Sequence, residues 1–593
     1  MNPARSVRLF AVIAAAVLTV ALLPGPAQAA PPTEPTSVPG RYLVVARTTD
    51  DYAPLRDSAA RAGAKIVSEL PQVNTFVITG DSTVRDAVQA DSRTQAVAVD
   101  HVKSIATAER GTPNLSAPGL RSATQVDLPA PTAPAPTAID ADPAFSIPGL
   151  QWDYRRIGLP EGWQTTAGRP EVTVGVADTG LDFTHTDLEP NIRAVVDLTE
   201  LEDPPLCETF FGVSDQDLAA KFGGPATTDW NGHGSWIGGN IAAALNGTGI
   251  NGIAPRASLV SLKISQWCGS AYDSTVLAAF LFAAATHLDA VSISFGGYMD
   301  RSALDQEVIY QLYVDAVSFA RARGTTIVSS AGNEHVRIGA GGRVLSHGQL
   351  TTPGEPVEDL YGLYETPGGV PGVVDVSATN NVVNGPSENC PEGTTGTPED
   401  PNATCKPTSD RHQPTAVGQI DQLSYYSNYG PRIDIAAPGG ARKFNLPLWD
   451  RGGTPGFPYT SADGTNVWED FGTTSNWAVE IPCFTFSAAA GFPEDQCYTT
   501  IQGTSMATPH VSAAIALTAS AHADLRYDPA ALVARVQAHA VDAVNHTPVL
   551  SATDTSPGDL TGVPCPSGYC HLGGAPVSNA EAYGAGLLNV ANP

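Results

Sequence analysis

Two rhythms of apolar and polar residues divide the chain. Tyr42–Ala46 is a strand-like apolar run, Tyr52–Ala62 has helical spacing, and Lys65–Ile66 opens a further extended stretch. Thr75–Ile78 predicts a strand, Ser82–Ala90 a helix and Ala96–Val99 a last strand. This βαββαβ order predicts a small α+β, ferredoxin-like domain over residues 40–106. From residue 148 to residue 593, short apolar runs alternate with helical ones. Strands are expected at Val172–Ala177, Leu259–Ile264, Ala290–Phe295, Thr325–Ser330, Val373–Ser377 and Ile433–Ala436. Such alternation predicts an α/β domain built on a mostly parallel sheet flanked by helices.

The two patterns are separated by Ala106–Ala144, rich in Pro, Ala, Thr and Ser, which reads as an extended linker over residues 107–147. Residues 1–29 have the layout of a cleavable secretory leader: Arg5 and Arg8, the apolar run Leu9–Leu23, then Ala27-Gln28-Ala29. No twin arginine precedes that run and no cysteine follows the cut site, so export without a lipid or membrane anchor is expected. Three segments of the second domain look inserted, near 337–366, 384–420 and 441–500. Long segments beside a cleft act as lids or substrate selectors, or simply stabilise a surface, and both readings stay open.

Charge and cysteine content narrow the function classes. The net charge is −28, and it is near −30 once the two leader arginines are removed. An acidic chain of this kind is a poor nucleic-acid binder, because phosphate recognition needs basic surface. Eight cysteines, all at or after Cys207, suit an exported, disulfide-bonded protein. Eight cysteines allow 105 pairings. Local spacing suggests Cys390–Cys405, Cys483–Cys497 and Cys565–Cys570, leaving Cys207–Cys268. No Cys-x-x-Cys pair stands near histidines, which makes zinc the weaker reading.

The chemistry is concentrated in Ile501-Gln-Gly-Thr-Ser-Met-Ala-Thr-Pro-His-Val-Ser512. Ser505 opens an apolar helix there, with Pro509 in the first turns, where proline is tolerated. A serine hydroxyl needs a base and a place for developing negative charge, and a helix N-terminus supplies part of the latter. The dodecamer resembles the serine motif of the subtilisin-like serine proteases (subtilases, peptidase family S8). Asp178-Thr179-Gly180 after the run Val172–Ala177 resembles the family's aspartate motif, and Asn231-Gly232-His233-Gly234 its histidine motif. The order Asp, His, Ser also agrees. The resemblance implies a triad of Ser505 as nucleophile, His233 as base and Asp178 as its orienting partner, acting through an acyl-enzyme. It implies Asn333, in Ala331-Gly332-Asn333, as the side-chain donor to the oxyanion. Ser294-Phe295-Gly296-Gly297 resembles one wall of the substrate pocket, which pairs with substrate as an added strand, and Ala331 and Gly332 the opposite wall.

The same resemblance makes the small domain an inhibitory propeptide that helps the protease fold and blocks its cleft, with Asp100-His101-Val102 beginning its tail. The expected partners are therefore protein or peptide substrates and the chain's own propeptide, on a monomeric, secreted, extracellular endopeptidase made as an autoinhibited, self-processed zymogen. No cofactor is required. A structural calcium would suit Asp187 facing the loop Asn246–Asn251, as would an ordinary turn aspartate, and no metal is assigned. Two departures stand out: Phe295 replaces the family's usual Leu or Met, either reshaping the pocket or packing in the core, and Trp236 replaces a second histidine outside the triad. The contrasting function class is a non-catalytic, peptide-binding protein of the same fold.

Overall fold

The structure, a computed structural model, describes residues 37–105, 142, 145, 151–350, 358–379, 421–424, 426–440, 473–477, 496–542 and 577–593. The leader and all of the linker except residues 142 and 145 lie outside these, as do the segment 384–420, most of 441–500 and the cysteines Cys390, Cys405, Cys483, Cys565 and Cys570.

The N-terminal unit runs β1 (Ser37–Ala46), α1 (Thr49–Arg61), β2 (Lys65–Leu70), β3 (Thr75–Thr79), α2 (Ser82–Gln89) and β4 (Thr94–Ser104). Its strands lie in the order β2-β3-β1-β4, every neighbouring pair antiparallel, which is the ferredoxin-like arrangement. Thr48 caps α1 and Asp81 caps α2 through their side-chain oxygens, satisfying N–H groups that the first turn leaves unpaired. Leu55, Ala59, Phe76, Ile78 and Val88 form the core of this unit.

In the main domain, seven strands form one parallel sheet. They are β5 (Thr173–Asp178), β6 (Ile192–Asp197), β7 (Ser258–Lys263), β9 (Ala290–Ile293), β10 (Thr326–Ser330), β11 (Val374–Thr379) and β12 (Ile435–Pro438). Their order is β12-β11-β10-β9-β5-β7-β6. β5, β7, β10 and β11 are almost wholly buried, as expected of a sheet covered on both faces. The chain winds to one side of β5 and then, from β9, to the other. The carboxyl ends of β5 and β9 therefore mark the switch point where open α/β sheets open a crevice. Helix α3 (His233–Ala242), α4 (Asp273–Ala285), α5 (Leu304–Ala322) and α6 (Thr504–Ala521) pack around the sheet. Every residue of α6 from Thr504 to Ser520 is buried, so this helix runs through the core rather than along the surface.

β4 is longer than the apolar pattern of Ala96–Val99 predicts. Its last residues, Val102–Ser104, leave the small domain and pair antiparallel with β8 (Ser270–Tyr272) of the large one. A single apolar cluster joins Leu43, Leu70, Val77 and Ile105 to Ala271, Leu277, Ile309 and Tyr313 across the junction. Arg41 is fully buried beside it. It donates to Asp100 Oδ2 (2.7 Å), Ser274 Oγ (3.0 Å) and the carbonyls of Leu201 (3.1 Å) and Asp203 (3.2 Å), and its guanidinium lies over the Tyr272 ring.

The supposed insertions are partly built into the fold. Ile338, Val344 and Leu360 of 337–366 make a small core together with the neighbouring Val336. Thr473–Trp477, inside the third, pairs antiparallel with Cys497–Ile501 at its end and lies against α3. Cys207 and Cys268 are disulfide-bonded, the pairing that local spacing left over.

Candidate active site

β5 delivers Asp178 at its last position, and α3 begins with His233. Asp178 Oδ1 lies 2.8 Å from His233 Nδ1 and accepts the Thr179 N–H at 2.8 Å, with both side chains buried. A carboxylate on Nδ1 fixes the ring orientation and leaves Nε2 as the nitrogen that can serve as base. The close approach requires glycine at Gly234, where a Cβ would come within 2.0 Å of the Gly180 carbonyl. Asp229 holds this corner together. Its Oδ1 accepts from Asn231 N, Gly232 N and Thr179 Oγ1, and its Oδ2 from Ser235 N and Oγ. Sequence reasoning missed Asp229, although an aspartate two residues before Asn-Gly is a recognisable Asx-turn signal.

Ser505 is the second residue of α6, and that helix packs against α3, β9 and β10. Its hydroxyl is 3.4 Å from the Ser294 carbonyl, and Ser294 Oγ donates to the Ser505 carbonyl at 3.1 Å. Asn333 follows β10, and its Oδ1 accepts from both Thr504 N and Thr504 Oγ1 at 2.9 Å. The amide oxygen is thereby committed to the residue preceding Ser505, and Nδ2 is the donor end. Glu334 braces the same turn by accepting the Asn333 N–H at 2.9 Å, and burial pushes its carboxyl above the usual range.

Gly296 forms an antiparallel bridge with Ser104 of the N-terminal unit. Ile105 donates its N–H to the Gly269 carbonyl at 3.0 Å and packs on Gly269, beside Asn231. The tail of β4 thus occupies a strand position between β8 and Gly296 and ends beside the histidine loop. Ala331 is buried, with its carbonyl accepting from Asn428, and Gly332 has a left-handed φ of 93° in which a side chain would meet Asn428. Phe295 is fully buried, its ring edge-on to His233 with centroids 6.5 Å apart, and it belongs to the apolar core. Trp236 is likewise buried in the main core. Asp187 accepts from Asn246 Nδ2, Ile250 N and Tyr498 Oη, as a turn aspartate does.

The subtilase family model matches residues 169–560. The chain belongs to the subtilase family. Subtilisin DY of Bacillus licheniformis is 33% identical over 164 residues, 27% of this chain and 47% of its own length. Thermitase of Thermoactinomyces vulgaris is 28% identical over 194 residues, 32% of this chain and 57% of its own length. The chain spans about half the length of the curated relatives it matches. Among solved structures, the epidermin leader peptide processing serine protease of Staphylococcus aureus is similar in fold (TM-score 0.54, 17% identity, 93% of this chain and 96% of that one). So is fervidolysin of Fervidobacterium pennivorans, a keratinolytic enzyme (TM-score 0.52, 18% identity, 93% and 60%). The fold of this subtilase is therefore the α/β, parallel-sheet architecture that its sequence pattern predicts.

Proposed function

We propose that the chain is a secreted serine endopeptidase, made as a precursor whose N-terminal domain blocks its own cleft. The observations that support this reading are the Asp178–His233 hydrogen bond and Ser505 at the start of a buried helix that packs against the His233 helix and bonds to Ser294, next to the Phe295 ring that faces His233. Ser505 attacks the substrate carbonyl while His233 Nε2 takes its proton and later gives it to the leaving amine. Asp178 stabilises the imidazolium formed in between. The oxyanion is stabilised by the Ser505 N–H at the positive end of α6 and by Asn333 Nδ2.

Substrate enters as an added strand beside β8 and Gly296, the place that Val102–Ser104 holds here. A tail in that place supports autoinhibition, and cutting it releases the domain. Secretion rests on the leader-like residues 1–29 and on the Cys207–Cys268 bond, which suits an oxidising compartment. The enzyme is read as a monomer that needs no cofactor.

A phosphonofluoridate reagent tests the nucleophile. Intact mass and peptide mapping of the activated protein should place a single phosphonyl adduct on Ser505, and Ser505→Ala should take up none. An unlabelled protein that binds peptides without cutting them would move the assignment to the non-catalytic class.

A further inference from the structure

The strand seated in the cleft carries a lysine into a place where lysines are seldom found. Lys103 is paired with Ala271 of β8, between Val102 opposite Tyr272 and Ser104 opposite Ser270. Its side chain is only 3% exposed. The stem lies across Gly297, where even a Cβ would approach Lys103 Cδ to 3.2 Å. Its Nζ is 3.8 Å from Oδ1 of Asp273, the first residue of α4, whose side chain is fully buried. Tyr313, also buried, donates to the same Oδ1 at 2.7 Å. Asp273 Oδ2 has no hydrogen-bond partner among the described residues.

An aspartate in the first turn of a helix is ordinarily accounted for by the positive end of the dipole. That account leaves the lysine unexplained. Burying an ammonium is costly unless an opposite charge meets it, and a lysine on a tail strand is otherwise free to keep its head in water. The pairing of a buried ammonium with a buried carboxylate, on a strand that lies where substrate would lie, marks the position as a side-chain subsite with a charge requirement.

We infer that Asp273 is a specificity-determining residue: it makes acidic the subsite for the substrate residue immediately N-terminal to the one paired with Gly296, which therefore accepts lysine or arginine. The inference rests on the protease reading above. Lys103 is the chain's own occupant of the subsite, and its departure with the N-terminal domain exposes the carboxylate to the substrate. Arginine suits the site at least as well as lysine, because a guanidinium fork can engage Oδ1 and the unpartnered Oδ2 together. Ile105, two residues after Lys103, lies beside the histidine loop, so the basic residue falls at the third or fourth position before the cut bond.

The test is cleavage-site profiling of the self-activated full-length protein on a mixed peptide library, read by mass spectrometry. Wild type should enrich Lys and Arg at one fixed upstream position, third or fourth from the cut. Asp273→Asn keeps the shape and an acceptor for Tyr313. It should lower the ratio of kcat/KM for a Lys peptide over its Met analogue by about tenfold or more, the loss expected for one charged contact. An active enzyme with no basic selection at any upstream position would overturn the inference while leaving the protease reading intact. A wild type that cuts no peptide sinks the protease reading and this inference with it. Should Asp273→Asn fail to fold, the wild-type profile alone decides.

Discussion

Asn333 accepts two hydrogen bonds from Thr504, the residue directly before the candidate nucleophile, one from its N–H and one from its hydroxyl, both at 2.9 Å. The side chain is locked by its oxygen end, so its NH₂ group is oriented before any substrate arrives. Asn333→Ala is expected to lower kcat by about 10²–10³, a loss of roughly 3–4 kcal/mol of transition-state stabilisation, as seen for this kind of donor in a subtilisin. KM should move little. Steady-state kinetics on a peptide substrate checks this, and a change confined to KM would assign Asn333 to substrate binding instead.

Asp178 holds His233 from 2.8 Å inside a corner that Asp229 has already fixed through five hydrogen bonds. Asp178→Asn should therefore preserve the fold and lower kcat by about 10⁴, since the imidazole loses both its tautomer control and its counter-charge. The near-ultraviolet circular dichroism of the variant should match wild type. A loss below about tenfold would remove Asp178 from the catalytic group.

Arg41 and Asp100 form a fully buried ion pair where the two domains meet. Truncating one member leaves the other charged and unpaired, a penalty of about 3–5 kcal/mol. Asp100→Ala, made in a Ser505→Ala background to prevent self-cutting, should lower the melting temperature of the precursor. A stability loss below about 1 kcal/mol, the size typical of exposed pairs, would mean that the pair is not a docking element.

Glu202 lies near Arg41 and Asp215, and burial pushes its carboxyl up to about 8, with the Leu206 N–H and Arg41 opposing. A carboxyl raised in the folded state favours folding most at low pH. The contribution is fully present below its unfolded value near 4.5 and is lost as pH rises through about 8. In the same inactive background, Glu202→Gln should match wild type in stability near pH 4 and exceed it increasingly until about pH 8, where the difference levels off. Thermal melts across that range check the sign, and a difference that does not vary with pH would contradict it.

The candidate site residues were readable because each is specified locally. A serine opening an apolar helix and an aspartate ending an apolar run declare their elements by pattern, and the six strands expected for the parallel sheet came within a few residues, as at Thr173–Asp178 and Thr326–Ser330. What escaped was non-local. Val102–Ser104 becomes strand only because Ser270–Tyr272 supplies a partner, and no periodicity in either segment records that pairing. The Arg41–Asp100 and Lys103–Asp273 pairs likewise join residues far apart in the chain. Phe295 is ambiguous for a different reason: an aromatic at the end of a buried strand suits a pocket wall and a core equally, and here its ring is buried edge-on to His233 in the apolar cluster that also takes in Ile105 of the tail.

The most direct test of the central claim is self-cutting. Residues 30–593 and the same chain with Ser505→Ala should be expressed side by side and followed by intact mass and N-terminal sequencing. The account predicts that wild type cuts itself between residues 100 and 148 while the variant stays whole. If both chains fold and neither is cut, or if both are cut alike, Ser505 is not the nucleophile of a self-processed protease.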